Sequence, residues 1–171
     1  MNNELIIRLA NMNDLPSIVD IYNQAIRTKS VTGHIEEFSV NERFEWFEKF
    51  TPSEYPIYVA EIANKIVGYC TLSPYRNGRK AMSKIAEISF YLDYSFHGNN
   101  IGTEILKYVI LDCKRIGKDN LLAILMDLNS QSIGILKKFN FIKWGHFPDI
   151  IDINGKKCGH LIYGLKINKS Y

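Results

Sequence analysis

A strand, a short turn rich in glycine and asparagine, and a helix follow one another between Ile85 and Gly117, and this run constrains the chain more than any other. Ile85, Glu87, Ser89 and Tyr91 alternate with Ala86, Ile88, Phe90 and Leu92, which is the two-residue period of a strand. His97-Gly98-Asn99-Asn100-Ile101-Gly102 then opens a helix that carries Ile105, Leu106, Val109, Ile110 and Cys113, with Gly117 just past its end. The first turn of a helix leaves backbone N–H groups without partners, and its dipole favours an anion there. Glycine and asparagine tolerate positive φ, so successive N–H groups can turn inward around a phosphate. Two readings stand for the segment: a pyrophosphate site, or an ordinary tight turn between strand and helix.

The rest of the chain alternates strands with helices. Glu4 to Leu9 reads as a strand. Asn13-Asp14-Leu15-Pro16 reads as a helix start, followed by Ile18, Val19, Tyr22 and Ile26 at helical spacing. Residues 28–38 read as loop. Ser39 and Glu42 form a capping box for a second helix, whose aromatics Phe44, Trp46, Phe47 and Phe50 read as core and interface. Residues 57–62 and 66–72 make a hairpin, and 73–83 a polar, basic loop. Leu121 to Met126 reads as a buried strand, Asn129-Ser130 as the cap of a short helix, and residues 141–147 and 157–167 as two closing strands. The predicted order is β-α-α-β-β-β-α-β-α-β-β. At 171 residues, without repeats or low-complexity stretches, the chain reads as a single domain over 1–171.

Composition removes several classes of function. The net charge is +3, and Lys and Arg are scattered rather than striped, so no nucleic-acid footprint is expected. The densest basic pair, Lys137-Lys138, reads as solvated surface. The three cysteines lie far apart without a CxxC, and the four histidines have no ligand spacing, so no metal is expected. The start Met1-Asn-Asn-Glu4 lacks the pattern of a signal peptide, and the longest aliphatic run, Leu121–Met126, is too short for a bilayer. A cytoplasmic protein with reduced thiols and no membrane partner is the expectation.

Two further features carry chemistry. Glu87 is a lone carboxylate on an apolar strand: a general base if substrate reaches it, or an edge-exposed or salt-bridged side chain if not. Asn129-Ser130-Gln131-Ser132 closes a buried strand, either as a helix cap or as an amide presented where neighbouring strands part.

Taken together, these residues resemble the GCN5-related N-acetyltransferase (GNAT) superfamily, in its phosphinothricin acetyltransferase-like branch. The resemblance runs from about Leu5 to Lys166. Ile21-Tyr22-Asn23, Arg43 with Trp46-Phe47, the segment 56–61, Val67-Gly68-Tyr69, Ser73-Pro74-Tyr75-Arg76 with Arg79 and Ala81, Glu87, and the stretch from Asn129 to Phe141 carry it through their order and spacing. The chain departs from the pattern at His97 and Asn100 in the coenzyme loop. It also has Leu136 where the family often places a tyrosine or histidine as general acid, Thr32-Gly33-His34 in the acceptor loop, and Tyr163 near the C-terminus.

The resemblance implies an α/β fold: a mixed, mostly antiparallel sheet splayed between strands 4 and 5 and flanked by four helices. It implies acetyl-CoA as acetyl donor, bound by Tyr91, Leu92, His97, Gly98, Asn99, Asn100, Ile101, Gly102, Thr103, Asn129 and Ser132. It implies Glu87 as general base and Arg76 and Arg79 as contacts to the acceptor. The implied reaction is direct attack on the thioester by the amine of a small amino acid of the phosphinothricin or methionine sulfone type, in a homodimer. Peptide acetylation, or coenzyme A binding with little catalysis, are the alternatives.

Overall fold

The computed structural model describes residues 4–167. The first three residues of the start examined for a leader therefore lie outside the described residues. The elements run β1 (Leu5–Leu9), α1 (Leu15–Arg27), α2 (Val40–Glu48), β2 (Ile57–Ile62), β3 (Lys65–Pro74), β4 (Ile85–Leu92), α3 (Ile101–Asp112), β5 (Asn120–Met126), α4 (Ser130–Lys138), β6 (Ile142–Ile153) and β7 (Lys156–Lys166). This is the predicted order. The strands form one seven-stranded sheet in the order β1-β2-β3-β4-β5-β7-β6. Every neighbouring pair is antiparallel except β4 and β5.

Alternation along the strands divides the core in two. Tyr58, Ala60, Val67, Cys70, Leu72, Ala86 and Ile88 face α3 and α4, where Ile105, Leu106, Val109 and Leu136 cover them. Ile57, Val59 and Tyr69 face the other way, under Ile18, Ile21, Tyr22 and Ile26 of α1 and Trp46 and Phe47 of α2. Gly68 admits the close approach of β4: a Cβ there would lie 2.6 Å from Leu92 Cδ2 and 3.2 Å from the Tyr91 carbonyl oxygen.

Three boundaries differ from the sequence reading. The cap before α1 is Asn11, whose side chain accepts from Asn13 N–H on a short 3-10 turn. Asp14 is taken by Arg8, which donates to both carboxylate oxygens at 2.8 and 2.9 Å and also reaches Glu61. Helix α3 stops at Asp112, and Gly117, at φ 67°, closes the turn that follows. Strand β6 runs on to Ile153 beyond an irregularity between Phe147 and Ile151. Pro148 and Asp149, the latter at φ 54°, look like a strand end in sequence, yet the pairing resumes after them because the partner strand β7 continues.

Helix α2 stands on its cap. Ser39 Oγ accepts from Glu42 N–H, and the Glu42 carboxylate accepts from Ser39 N–H at 2.7 Å. No residue of α2 is fully buried, although Trp46 and Phe47 pack against the core from its inner face. Ser39→Ala should cost about 1 kcal/mol, a fall in melting temperature of about 2–4 °C for a chain of this size, measurable by thermal unfolding.

Candidate active site

The parallel pairing of β4 and β5 lasts three residues. Ile85, Ala86 and Glu87 pair with Asn120, Leu121 and Leu122, and there the ladder ends. Beyond it the strands part, because β4 stays with β3 as far as Leu92 and β5 stays with β7 as far as Met126. The wedge so opened is the mouth of a cleft of about 510 Å³, within the range of small-molecule sites.

One wall of the cleft is the open edge of β4 at Tyr91 and Leu92. The floor is the turn that leads into α3. His97, Gly98, Asn100, Ile101 and Thr103 line it, with Gly98 at φ 84° and Asn100, the residue before the helix, at φ 59°. No side chain caps α3, so its first N–H groups keep their capacity for an anion. The opposite wall is the start of α4, with Asn129, Ser132, Gln131 and Ile135. Asn129 also caps that helix, accepting from Ser132 N–H at 3.1 Å, so both readings of Asn129 describe the same side chain. Lys138 lines the cleft too, although it is exposed as the sequence reading expected.

Two residues of the turn stand apart. Asn99 is exposed and donates to the Phe96 carbonyl at 3.1 Å; it helps to shape the turn without lining the cleft. Gly102 is buried behind the wall, where a Cβ would sit 3.2 Å from Ile135 Cδ1 and 3.4 Å from Leu92 Cδ1. Its hydrogen lets α3, α4 and β4 meet. Tyr94 and Phe96 line the cleft and were not singled out from sequence, because a 3-10 turn over 94–96 turns them inward.

A smaller recess continues deeper between the parted strands. Ser89 and Tyr91 of β4, Leu125 of β5, and Asn129, Ser132 and Leu136 of α4 line it. Leu136 is 1% exposed, so the position at which the family often carries an acid is packed hydrocarbon. The hydroxyl groups of Ser89, Tyr91 and Ser132 are the ones at that depth.

Glu87 sits where the ladder ends, on the β4 face shared with Ser89 and Tyr91. It is half-buried and makes no hydrogen bond or ion pair among the described residues, which removes the salt-bridge reading. Burial pushes its carboxyl above the usual range. Arg76 and Arg79 lie on the exposed loop after β3, outside the cleft, with their guanidinium groups unpaired among the described residues.

Sequence reasoning named Tyr22, His34, Arg43, Trp46, Tyr69 and Tyr91 separately, and it did not foresee that they form one assembly. Tyr22 of α1, His34 and Phe38 of the following loop, Arg43 and Trp46 of α2, Tyr69 of β3 and Tyr91 of β4 gather on the Glu87 side of the sheet. Tyr22 bonds Thr32 at 2.8 Å and the His34 ring. No local pattern announces these contacts, which join residues up to 69 positions apart.

Among the described residues, no cluster of three or more His, Cys, Asp or Glu side chains is placed to hold a metal, and no helix is long and apolar enough to cross a membrane. The cysteines Cys70, Cys113 and Cys158 are free and buried.

Comparison with known proteins agrees with this geometry. Residues 7–162 match the family model described as acetyltransferase (GNAT) domain. YwnH of Bacillus subtilis, whose name proposes a phosphinothricin acetyltransferase, is 34% identical over 162 residues, 95% of this chain and 99% of its own. The L-methionine sulfoximine/L-methionine sulfone acetyltransferase of Pseudomonas aeruginosa is 27% identical over 154 residues, 90% and 87% of the two chains. The solved structure of yncA from Salmonella typhimurium with acetyl-CoA superposes with a TM-score of 0.90 over 98% of this chain and 96% of its own, at 23% identity. The chain belongs to the GNAT superfamily of acetyltransferases. Within it, the chain falls in the phosphinothricin acetyltransferase-like branch.

The unpartnered Glu87 carboxylate has a consequence for stability. Its folded pKa stands above its unfolded value, so ionisation favours the unfolded chain. Below the unfolded pKa, near the usual value for Glu, there is no penalty; above the folded pKa the penalty is complete. Glu87→Gln should therefore melt higher than wild type at pH 7.5, and the gap should close at pH 4, as thermal unfolding at the two pH values will show.

Proposed function

We propose that this protein transfers the acetyl group of acetyl-CoA to the amine of a small amino acid or close analogue, with Glu87 as the base. The observation that carries the proposal is the half-buried, unpartnered Glu87 at the point where β4 and β5 part, beside a cleft that ends on an uncapped helix N-terminus. The residues present fit the donor. The turn from His97 through Thr103 offers backbone N–H groups at positive φ to a pyrophosphate, and the open edge at Tyr91 and Leu92 offers backbone partners to the pantetheine amides. Asn129 and Ser132 line the same cleft and would contact that arm, and Lys138 would add a cation. Bound there, acetyl-CoA supplies an activated acetyl thioester.

An ammonium group cannot attack a thioester, so the acceptor must lose a proton. A carboxyl made more basic by burial is suited to take it, directly or through one water. Alignment of the two substrates in the wedge supplies much of the rate. The superfamily relatives named for amino-acid acceptors support the substrate class. Arg76 and Arg79 supply positive charge on the approach. We also propose a homodimer. The outer strand β6 exposes Ile142, Trp144, Phe147 and Ile150 at 43–61%, an apolar edge suited to a second copy. Sedimentation at micromolar protein should give twice the 19.7 kDa chain mass; a monomer would reject the dimer.

Leu136 favours a second reading, a coenzyme A-binding protein with little turnover, because no side chain at that position can protonate the leaving thiolate. Thiol release from acetyl-CoA over a panel of free amino acids, methionine sulfone and polyamines separates the two. Turnover with amino acids is expected. Glu87→Gln should lower it on the order of 10²-fold, with partial recovery as pH rises and free amine forms unaided. Binding without thiol release would establish the second reading.

A further inference from the structure

Arg43 is a cation without an anion. Its guanidinium carbon lies 3.8 Å from the centroid of the Trp46 ring, 5.0 Å from Phe38 and 5.3 Å from Tyr22. The residue is half-buried, and its guanidinium makes no hydrogen bond or ion pair with any described residue. Its electrostatic neighbours are the phenols of Tyr69, Tyr22 and Tyr91 and the imidazole of His34. Guanidinium stacked on an aromatic face keeps its N–H fork free, because the ring takes only the flat of the group. Here three rings surround the guanidinium carbon, and its N–H groups have no hydrogen-bond partner among the described residues.

The position of this fork relates it to the chemistry. Tyr91 packs edge-on against Tyr22, with ring centroids 4.9 Å apart, and stacks on Tyr69 at 5.4 Å. The same Tyr91 lines both the cleft and its inner recess, and Glu87 acts on it electrostatically from four residues back on the same face. A free amino acid carries a carboxylate next to the amine that must react. Arg43 does not itself line the cleft, but Tyr91 has both Arg43 and Glu87 as electrostatic neighbours, so an amino acid that reaches past Tyr91 would meet a complementary group at each of its two ends.

We propose that Arg43 is a specificity-determining residue that binds the carboxylate of the acceptor and is held ready for it by Trp46, Phe38 and Tyr22. The proposal rests on the amino-acid reading given above. A guanidinium paired with a carboxylate forms charge-assisted hydrogen bonds that an ammonium point charge reproduces poorly. Contact with Trp46 confines the group before the substrate arrives, so less freedom is lost on binding. The Ser39–Glu42 cap then gains a second purpose, since it fixes the helix that presents Arg43.

The test uses two acceptors, methionine sulfone and 3-(methylsulfonyl)propylamine, which is the same molecule without its carboxylate. Wild type, Arg43→Gln and Arg43→Lys are compared for kcat and KM with saturating acetyl-CoA, and each variant is checked by thermal unfolding. Wild type should prefer methionine sulfone. Arg43→Gln should raise KM for methionine sulfone about 10- to 100-fold with kcat little changed, and leave KM for the amine as it was. Arg43→Lys should recover only part of the loss. If wild type fails to prefer the carboxylate-bearing acceptor, the amino-acid reading falls and the role of Arg43 falls with it. If wild type prefers it and Arg43→Gln keeps the same preference, Arg43 alone is overturned. Equal losses on both acceptors, with a lowered melting temperature, would make Arg43 a clamp between helices and overturn the proposal as well.

Discussion

Everything distinctive in this molecule depends on a ladder that is too short. Three residue pairs hold β4 against β5, and the strands then diverge because each has a stronger commitment on its other side. A parallel pair is slightly weaker per residue than an antiparallel one, so the sheet opens at its one parallel seam. The opening creates unpaired backbone at the middle of a sheet, where unpaired backbone is costly unless something else completes it. A cleft bounded on one side by such an edge is prepared for an extended, amide-bearing ligand before any side chain is considered.

The electrostatics of the wedge follow from the same seam. Glu87 is the last residue of β4 in the parallel ladder, so its side chain stands at the fork, half-buried and without a partner. Burial without compensation is a cost in a structural residue and an asset in a base, because it lifts the carboxyl toward the working range. Leu136 shows the opposite economy. The hydrocarbon at that depth removes a titratable group from the recess and leaves hydroxyl groups on Ser89, Tyr91 and Ser132 in its place.

How much of this was legible in the sequence depends on the range of the interaction concerned. The order of elements was readable because strand alternation and helical spacing are local, and the Ser39–Glu42 box was readable because both partners lie within four residues. The turn at Gly98 and Asn100 was readable because positive φ selects residue type. The continuation of β6 past Pro148 was not readable, since it is imposed by β7. The start of α1 at Asn13-Asp14-Leu15-Pro16 was readable, but the side-chain cap lies a turn earlier, at Asn11, on a 3-10 turn that the sequence did not announce. The members of the aromatic assembly around Arg43 were mostly marked in sequence by the resemblance, but their contacts were not, because they come from five segments and meet only after the sheet forms. Arg76 and Arg79 had the right charge, but their loop stands outside the cleft.

The two sides of the wedge are built from different materials. The side at Leu92, Gly98 and Asn100 is largely backbone, shaped by strand geometry and by φ angles. The assembly of Tyr22 and Arg43 that backs Tyr91 is side chain throughout. A point mutation replaces a side chain and leaves the peptide groups in place, so the two sides differ in how freely they can vary. Over evolutionary time such a scaffold can change what it accepts on one side while what it offers on the other stays fixed, and a single inherited fold can diversify by repainting one wall.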